Sequence, residues 1–292
     1  MEEFLQQIIN GLSLGSIYAL VALGYTMVYG IIKLINFAHG DVYMIGAYTA
    51  FIVTTYFGFN FFTALIACMV VCGILGVLIE RVAYRPLRKA PRITALITAI
   101  GVSYVIEYTT QLIMGTSVRS FPALVPTTSW QIGPVKITYL QVLIFSITIV
   151  LMLVLTFIVQ KTKIGRAMRA VSADENAARL MGISVDNTIS VTFLIGSALA
   201  GAAGLLVGVY YNSVSPLMGM VPGLKAFVAA VFGGIGSIPG AMVGGLFIGI
   251  AETMVVAYGS SLYRDAIVYG ILILVLIIKP AGLFGSTERE KV

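Results

Sequence analysis

The run VLIFSITIVLMLVLTFIV, residues 142–159, carries no charge and does not alternate apolar with polar residues. That pattern constrains the chain more than any other. A helix crosses a hydrocarbon core about 30 Å thick with about 20 mostly apolar residues, whereas a membrane β-strand alternates lipid-facing and lumen-facing positions. Similar runs fall at 5–31, 37–57, 60–80, 93–114, 188–211, 241–258 and 262–279, with a shorter one at 223–232. Only 10% of the 292 residues are charged, against roughly a quarter in soluble domains, so most of the surface does not face water. The sequence therefore predicts an all-α, polytopic helical membrane protein. It would have about eight transmembrane segments plus a broken or re-entrant segment near 223–240, in a single domain over 1–292.

The basic residues predict an orientation. Segment 81–92 holds Arg81, Arg85, Arg88, Lys89 and Arg92, and segment 161–187 holds Lys161, Lys163, Arg166, Arg169 and Arg179. Segment 115–138 holds only Arg119 and Lys136. Loops rich in Lys and Arg stay cytoplasmic, which makes 81–92 and 161–187 cytoplasmic and 115–138 external. Counting back places the N-terminus outside. Its MEEF start is acidic, unlike the basic start of a cleavable signal peptide. A cytoplasmic tail with Lys279, Arg289 and Lys291 needs an odd number of crossings, which is the argument for a broken crossing near 223–240. The same bias accounts for the net charge of +6 without a nucleic-acid partner. Cys68 and Cys72, four residues apart in an apolar run, read as small buried residues. They lack the further Cys or His of a metal site. In the external segment, Trp130 reads as an interface anchor or as part of a surface for an extracytoplasmic partner.

Polar groups inside a membrane are costly and need a reason. The stretch FAHGDVYMIGAY holds the single His of the chain. In it, Asn36, His39, Gly40 and Asp41 form a helix start, with Asp41 as the expected cap of a helix from Val42. It is either a tight connection at the interface or a break dipping into the bundle. FGGIGSIPGAMVGG, with Gly233, Gly234, Gly236 and Ser237, reads as a break of the kind that exposes backbone dipoles along a pathway. Glu107, with Ser103 and Gln111 on the same helical face, is an intramembrane carboxylate, either functional or structural. Glu252 poses the same question. Finally, GRAMRAVSADENAARLMGISVDN contains Ser172 and Glu175 at capping-box spacing, Gly182 at a position suited to a left-handed C-terminus, and a Glu175–Arg179 pair. The expected element is a helix of about nine residues with Ala173, Ala177, Leu180 and Met181 on one side. A helix that short is marginal alone and needs a surface to pack on. Its apolar side makes that surface a protein groove rather than the lipid on which an amphipathic linker would lie.

These stretches, together with SLGSIYALVALGYTMVYGI (13–31) and the ending IIKPAGLFG (277–285), resemble the permease subunits of bacterial branched-chain amino acid ABC importers, of the LivH type. The resemblance covers essentially the whole chain. It implies a transport subunit of the inner membrane, not an enzyme. The partners would be a homologous LivM-type permease, two cytosolic ATPase subunits and a periplasmic amino acid-binding protein. ATP and Mg would be used by the ATPases, no cofactor would be bound by this chain, and the sequence has no G-x-x-x-x-G-K-[ST] phosphate loop. It implies that Ser172, Ala173, Asp174, Glu175, Ala177, Ala178, Arg179, Leu180 and Gly182 belong to the ATPase-coupling helix within a cytoplasmic loop, 161–187. The His39 stretch and the glycine-rich break would flank the translocation pathway. Related permeases for urea, short amides or other amino acids share this architecture. A secondary transporter or channel would need a midplane ion-coupling group, for which Glu107 is the candidate. An integral membrane enzyme would need a catalytic constellation, and none is visible.

Overall fold

The structure is a computed structural model that describes residues 2–88 and 90–285. Lys89, Arg289 and Lys291, used in the charge count, lie outside the described residues. The helices are α1 (Glu2–Ile32), α2 (His39–Phe57), α3 (Phe61–Ile79), α4 (Arg92–Met114), α5 (Tyr139–Lys161), α6 (Lys163–Ala173), α7 (Glu175–Leu180), α8 (Val185–Tyr211), α9 (Met220–Gly233), α10 (Ile238–Tyr258) and α11 (Arg264–Ile278). Among the described residues seven helical segments are long and apolar enough to cross a membrane. Helix α2 is not one of them, since its first turn is occupied by His39, Gly40 and Asp41. Helix α9 is apolar but has only 14 residues.

Two-residue strand β1 (Arg119–Ser120) pairs antiparallel with β4 (Ser213–Val214), and β2 (Ser129–Ile132) forms a hairpin with β3 (Val135–Thr138). Gly133, at φ +60°, supplies the positive dihedral that opens this two-residue turn. Gln6 on α1 exchanges two hydrogen bonds with the backbone of Lys136, at 2.8 and 3.0 Å. Segment 115–138 therefore lies at the N-terminal end of α1. Residues of α6 meet Gly30 and Ile31 at the opposite end of α1. The two segments assigned by charge to opposite sides do lie at opposite ends of the bundle.

Most of α1 and α8 is buried, whereas α4, α5 and α11 expose most of their length to the surroundings. Lipid gives apolar helices no hydrophobic reason to associate, so close packing must hold them together. Helices α1 and α10 run antiparallel with their backbones in contact. A Cβ on Gly15 would lie 2.7 Å from the Leu246 Cα, and one on Gly249 would lie 2.3 Å from the Gly15 backbone. Gly46 of α2 meets Gly201 of α8 in the same way, at 2.7 Å.

Near 223–240 the structure holds the additional short apolar segment that the sequence reading called for, and corrects only the part played by the glycines. The crossing is not broken mid-helix. Helix α9 is continuous, and the glycine-rich stretch is a reversal into antiparallel α10, with Gly233 against Gly240 and Ala229 against Gly244. Gly234 and Gly236, at φ +103° and +95°, make the turn. Ser237 then caps α10 by accepting from the Gly240 amide at 3.2 Å.

Replacing Gly249 with Val should therefore separate α1 from α10, while Gly270→Ala, whose new methyl meets nothing within 4 Å, should be silent. Monodisperse protein recovered in mild detergent is the readout. Equal recovery of the two variants would show that the α1–α10 contact is dispensable.

Candidate functional site

The His39 stretch is buried inside the protein. Asn36, His39 and Asp41 are each at most 3% exposed. The helix begins earlier than expected, with His39 as its first residue and Ala38 as an N-cap making no side-chain bond. Asp41 is thus not the cap but lies in the first turn, where its charge still meets the positive end of the helix dipole. Its carboxylate is held from another helix, accepting from the Ser103 hydroxyl of α4 at 2.5 Å. Asn36 accepts from the Tyr84 hydroxyl at 3.1 Å, and Tyr25 packs edge-on against His39 at 4.7 Å. Gly40 lets α2 touch the start of α9, because a Cβ there would meet the Gly219 carbonyl oxygen at 2.5 Å.

Gly40, Asp41, Ser103 and Glu107 line one cavity of about 230 Å³, together with Tyr25, Gly219 and Gly223. Two polar stretches far apart in sequence thus converge. Glu107 is 8% exposed and accepts from Gln111 one turn on, at 3.5 Å, while Ser103 turns away to Asp41. The cavity offers two carboxylates and a hydroxyl, with no basic residue among its described lining. Gly233, Gly234, Gly236 and Ser237 are not part of it. They form the reversal at the C-terminal end of α1, where Gly236 faces Gly30.

At that end lies the short helix α7. Its cap is Asp174, whose carboxylate accepts from the amides of Asn176 and Ala177 at 2.8 and 2.9 Å. The capping box expected from Ser172 is not formed. Helix α6 continues through Ala173, so Ser172 is helical and its hydroxyl donates to the Arg169 carbonyl at 2.9 Å. The helix has six residues rather than about nine, and Ala173 belongs to α6. Its far end follows the sequence reading. Gly182 adopts φ +79°, and the amides of Gly182 and Ile183 donate to the carbonyls of Arg179 and Ala178, both at 3.0 Å. Glu175 and Arg179 pair at 2.8 Å. Ala178 faces the protein, at 3% exposed, whereas Leu180 is 89% and Met181 82% exposed. The outward apolar surface is therefore Leu180–Met181 rather than the whole side assigned from sequence.

The comparisons with known proteins give the family of the chain. A family model described as "Branched-chain amino acid transport system / permease component" matches residues 7–276. The chain is 46% identical to the high-affinity branched-chain amino acid permease protein LivH of Escherichia coli K12 and 45% identical to BraD of Pseudomonas aeruginosa. Each match covers 99% of this chain and 98% of the relative. The chain belongs to the family of branched-chain amino acid transport permease components. It is also 26% identical to LivM of E. coli K12, over 95% of this chain and 70% of that protein. No solved structure matches.

Two ionic clusters in the permease escaped the sequence reading. Beside α7, Glu80 of a π-helical turn is fully buried, accepts from the Ser190 hydroxyl at 2.6 Å and pairs with Arg88. Arg88 and Arg85 both reach Asp186 at the start of α8. At the opposite end Glu252 and Lys225 are 1% and 2% exposed and pair at 3.1 Å. Glu252 also accepts from Tyr18 at 2.9 Å and pairs with Arg264. The available signal was a lone Lys225 inside the apolar run GLKAFVAAV, which requires a buried partner.

Gly40→Val should abolish the α2–α9 contact and lower folded permease in the membrane, whereas Asp41→Asn keeps an acceptor for Ser103 and should fold normally. Immunoblots of membrane fractions decide between them. Normal levels of the Gly40 variant alongside loss of the Asp41 variant would mean that the charge, not the close approach, holds this site.

Proposed function

We propose that this permease is one of two homologous membrane subunits of a multi-pass importer in a bacterial inner membrane, carrying leucine, isoleucine and valine. Two cytosolic ATPase subunits drive it, using ATP and Mg that this chain does not bind. A periplasmic binding protein delivers the amino acid. The partner permease is of the LivM type, in keeping with the likeness of that family to this chain.

One structural observation carries the coupling part of this reading. Helix α7 is closed at both ends by hydrogen bonds, is braced by the Asp186 cluster, and presents Leu180 and Met181 outward with no partner in the described chain. A rigid apolar knob flanked by Glu175 and Arg179 suits a groove on a soluble protein. The N-terminus and segment 115–138 face outward, α7 and the tail face the cytoplasm, and the Asp41–Glu107 cavity and the 234–237 reversal flank the pathway between the paired permeases.

Leu180→Asp should leave the amount of inserted permease unchanged, reduce co-purification of the ATPase subunits at least several-fold and stop uptake. Ala178→Asp should fail differently, by unfolding the loop, because that side chain is inside the chain. ATPase recovery and uptake at wild-type level in the Leu180 variant would refute docking through α7. A cysteine in place of Ser129 should react with an impermeant thiol reagent in cells with a permeabilised outer membrane. Protection of that position in closed cells, with reaction only after lysis, would invert the proposed orientation.

A further inference from the structure

The second ionic cluster borders a cavity that the Asp41–Glu107 site does not include. It measures about 470 Å³ and lies between α1, α2, α8, α9 and the start of α11, within the range of roughly 300–1,000 Å³ typical of small-molecule sites. Its lining includes the ionic groups Lys225, Arg264 and Asp265 and the aliphatic side chains Val207, Leu217 and Val221. Glu252 does not line the cavity. It stands behind the two cations and fixes both, and Lys225 also reaches Asp265 at 2.6 Å. The two cations and two carboxylates balance, so the cluster is neutral as a whole while its cavity side presents both signs.

Two further observations point to an occupant. Tyr43 lines the cavity and is 1% exposed, yet its hydroxyl has no hydrogen-bond partner. Such a group, shut away from solvent, costs stability unless something bonds to it. Ser213 and Ser215 also line it, at the β1–β4 pairing that connects to segment 115–138. The cavity therefore lies toward the end of the bundle that holds segment 115–138, the end that the importer reading assigns to substrate delivery.

We propose that this cavity binds a free zwitterionic aliphatic amino acid as it enters the permease. The carboxylate is taken by Lys225 and Arg264, the ammonium by Asp265, and one of these groups also bonds to Tyr43. The side chain lies against Val207, Leu217 and Val221. The site rests on the importer reading for the identity of the ligand. The Asp41–Glu107 cavity does not offer the same set, having two carboxylates and no cation among its described lining.

The test uses Ser215→Cys in the assembled transporter, in spheroplasts depleted of ATP and washed free of binding protein. Cys68 and Cys72 are buried and donate to the backbone carbonyls of Gly46 and Val42, so they stay silent toward an impermeant thiol reagent. Millimolar leucine should slow labelling of position 215, while isovalerate, which lacks the amine, and isopentylamine, which lacks the carboxylate, should not. Adding Asp265→Asn should raise the half-protecting leucine concentration about tenfold or more, and Tyr43→Phe about fivefold. Absence of protection, equal protection by either analogue, or unchanged half-protection in both variants overturns the site. Leucine uptake with restored ATP and binding protein tests the importer reading separately. Uptake without protection defeats the site alone, and protection without uptake upholds the site and defeats the importer reading.

Discussion

Backbone contact between helices is the constraint on which the rest of this protein depends. In lipid no hydrophobic gain draws α1 to α10 or α2 to α8, and dispersion contacts at short range must replace it. Glycines at 11, 15, 245 and 249 let α1 and α10 touch along several turns, and Gly46, Gly201 and Gly204 do the same for α2 and α8. Once these pairs are fixed, little room remains between them, and what remains is where the polar side chains lie. Gly40 and Gly219 show the link directly. A Cβ on Gly219 would also lie 3.0 Å from one carboxylate oxygen of Asp41, whose other oxygen accepts from Ser103 of α4.

Much of this was legible in the sequence, and the misses have specific physical causes. Long apolar runs locate helices because lipid imposes a length and a polarity, and the charge bias separated segment 115–138 from 161–187 correctly. The reversal at 234–237 was read as a break within a crossing because a glycine cluster states that the chain turns without stating by how much. Asp174 and Ser172 are both good caps. Sequence alone could not choose between them, since the choice depends on α6 extending through Ala173. The capping box that does form, Thr138 with Gln141 at the start of α5, passed unnoticed in a segment read only as a polar loop. The ionic clusters were missed for a different reason. Glu252, Lys225 and Arg264 come from three helices, and their pairing is a fact of tertiary structure.

The two clusters divide the labour by position. Glu80, Arg88 and Asp186 tie the start of α8 to the end of α3 beside α7, and Arg179 of α7 itself approaches Asp186 at 4.0 Å. Glu252, Lys225 and Arg264 tie α9, α10 and α11 together at the far end. Removing Arg88 would leave the fully buried Glu80 without its cation, at a cost of about 3–5 kcal/mol. Each cluster therefore fixes a helix orientation more strictly than apolar packing would. Between them lies the softer region of small residues around Gly40, Gly219 and Gly223.

Helices α5, α6 and α7 are joined without loops. Thr162 ends α5 and caps α6, accepting from the Gly165 amide at 3.1 Å, and Asp174 ends α6 and caps α7. Each corner is a single extended residue whose side chain is already committed. An articulated rod of this kind has no slack. A load applied at Leu180 reaches the membrane segment α5 without first taking up play in a flexible tether. The length of that linkage is set by two residues, so a single inserted residue at either corner would change its reach and its angle together.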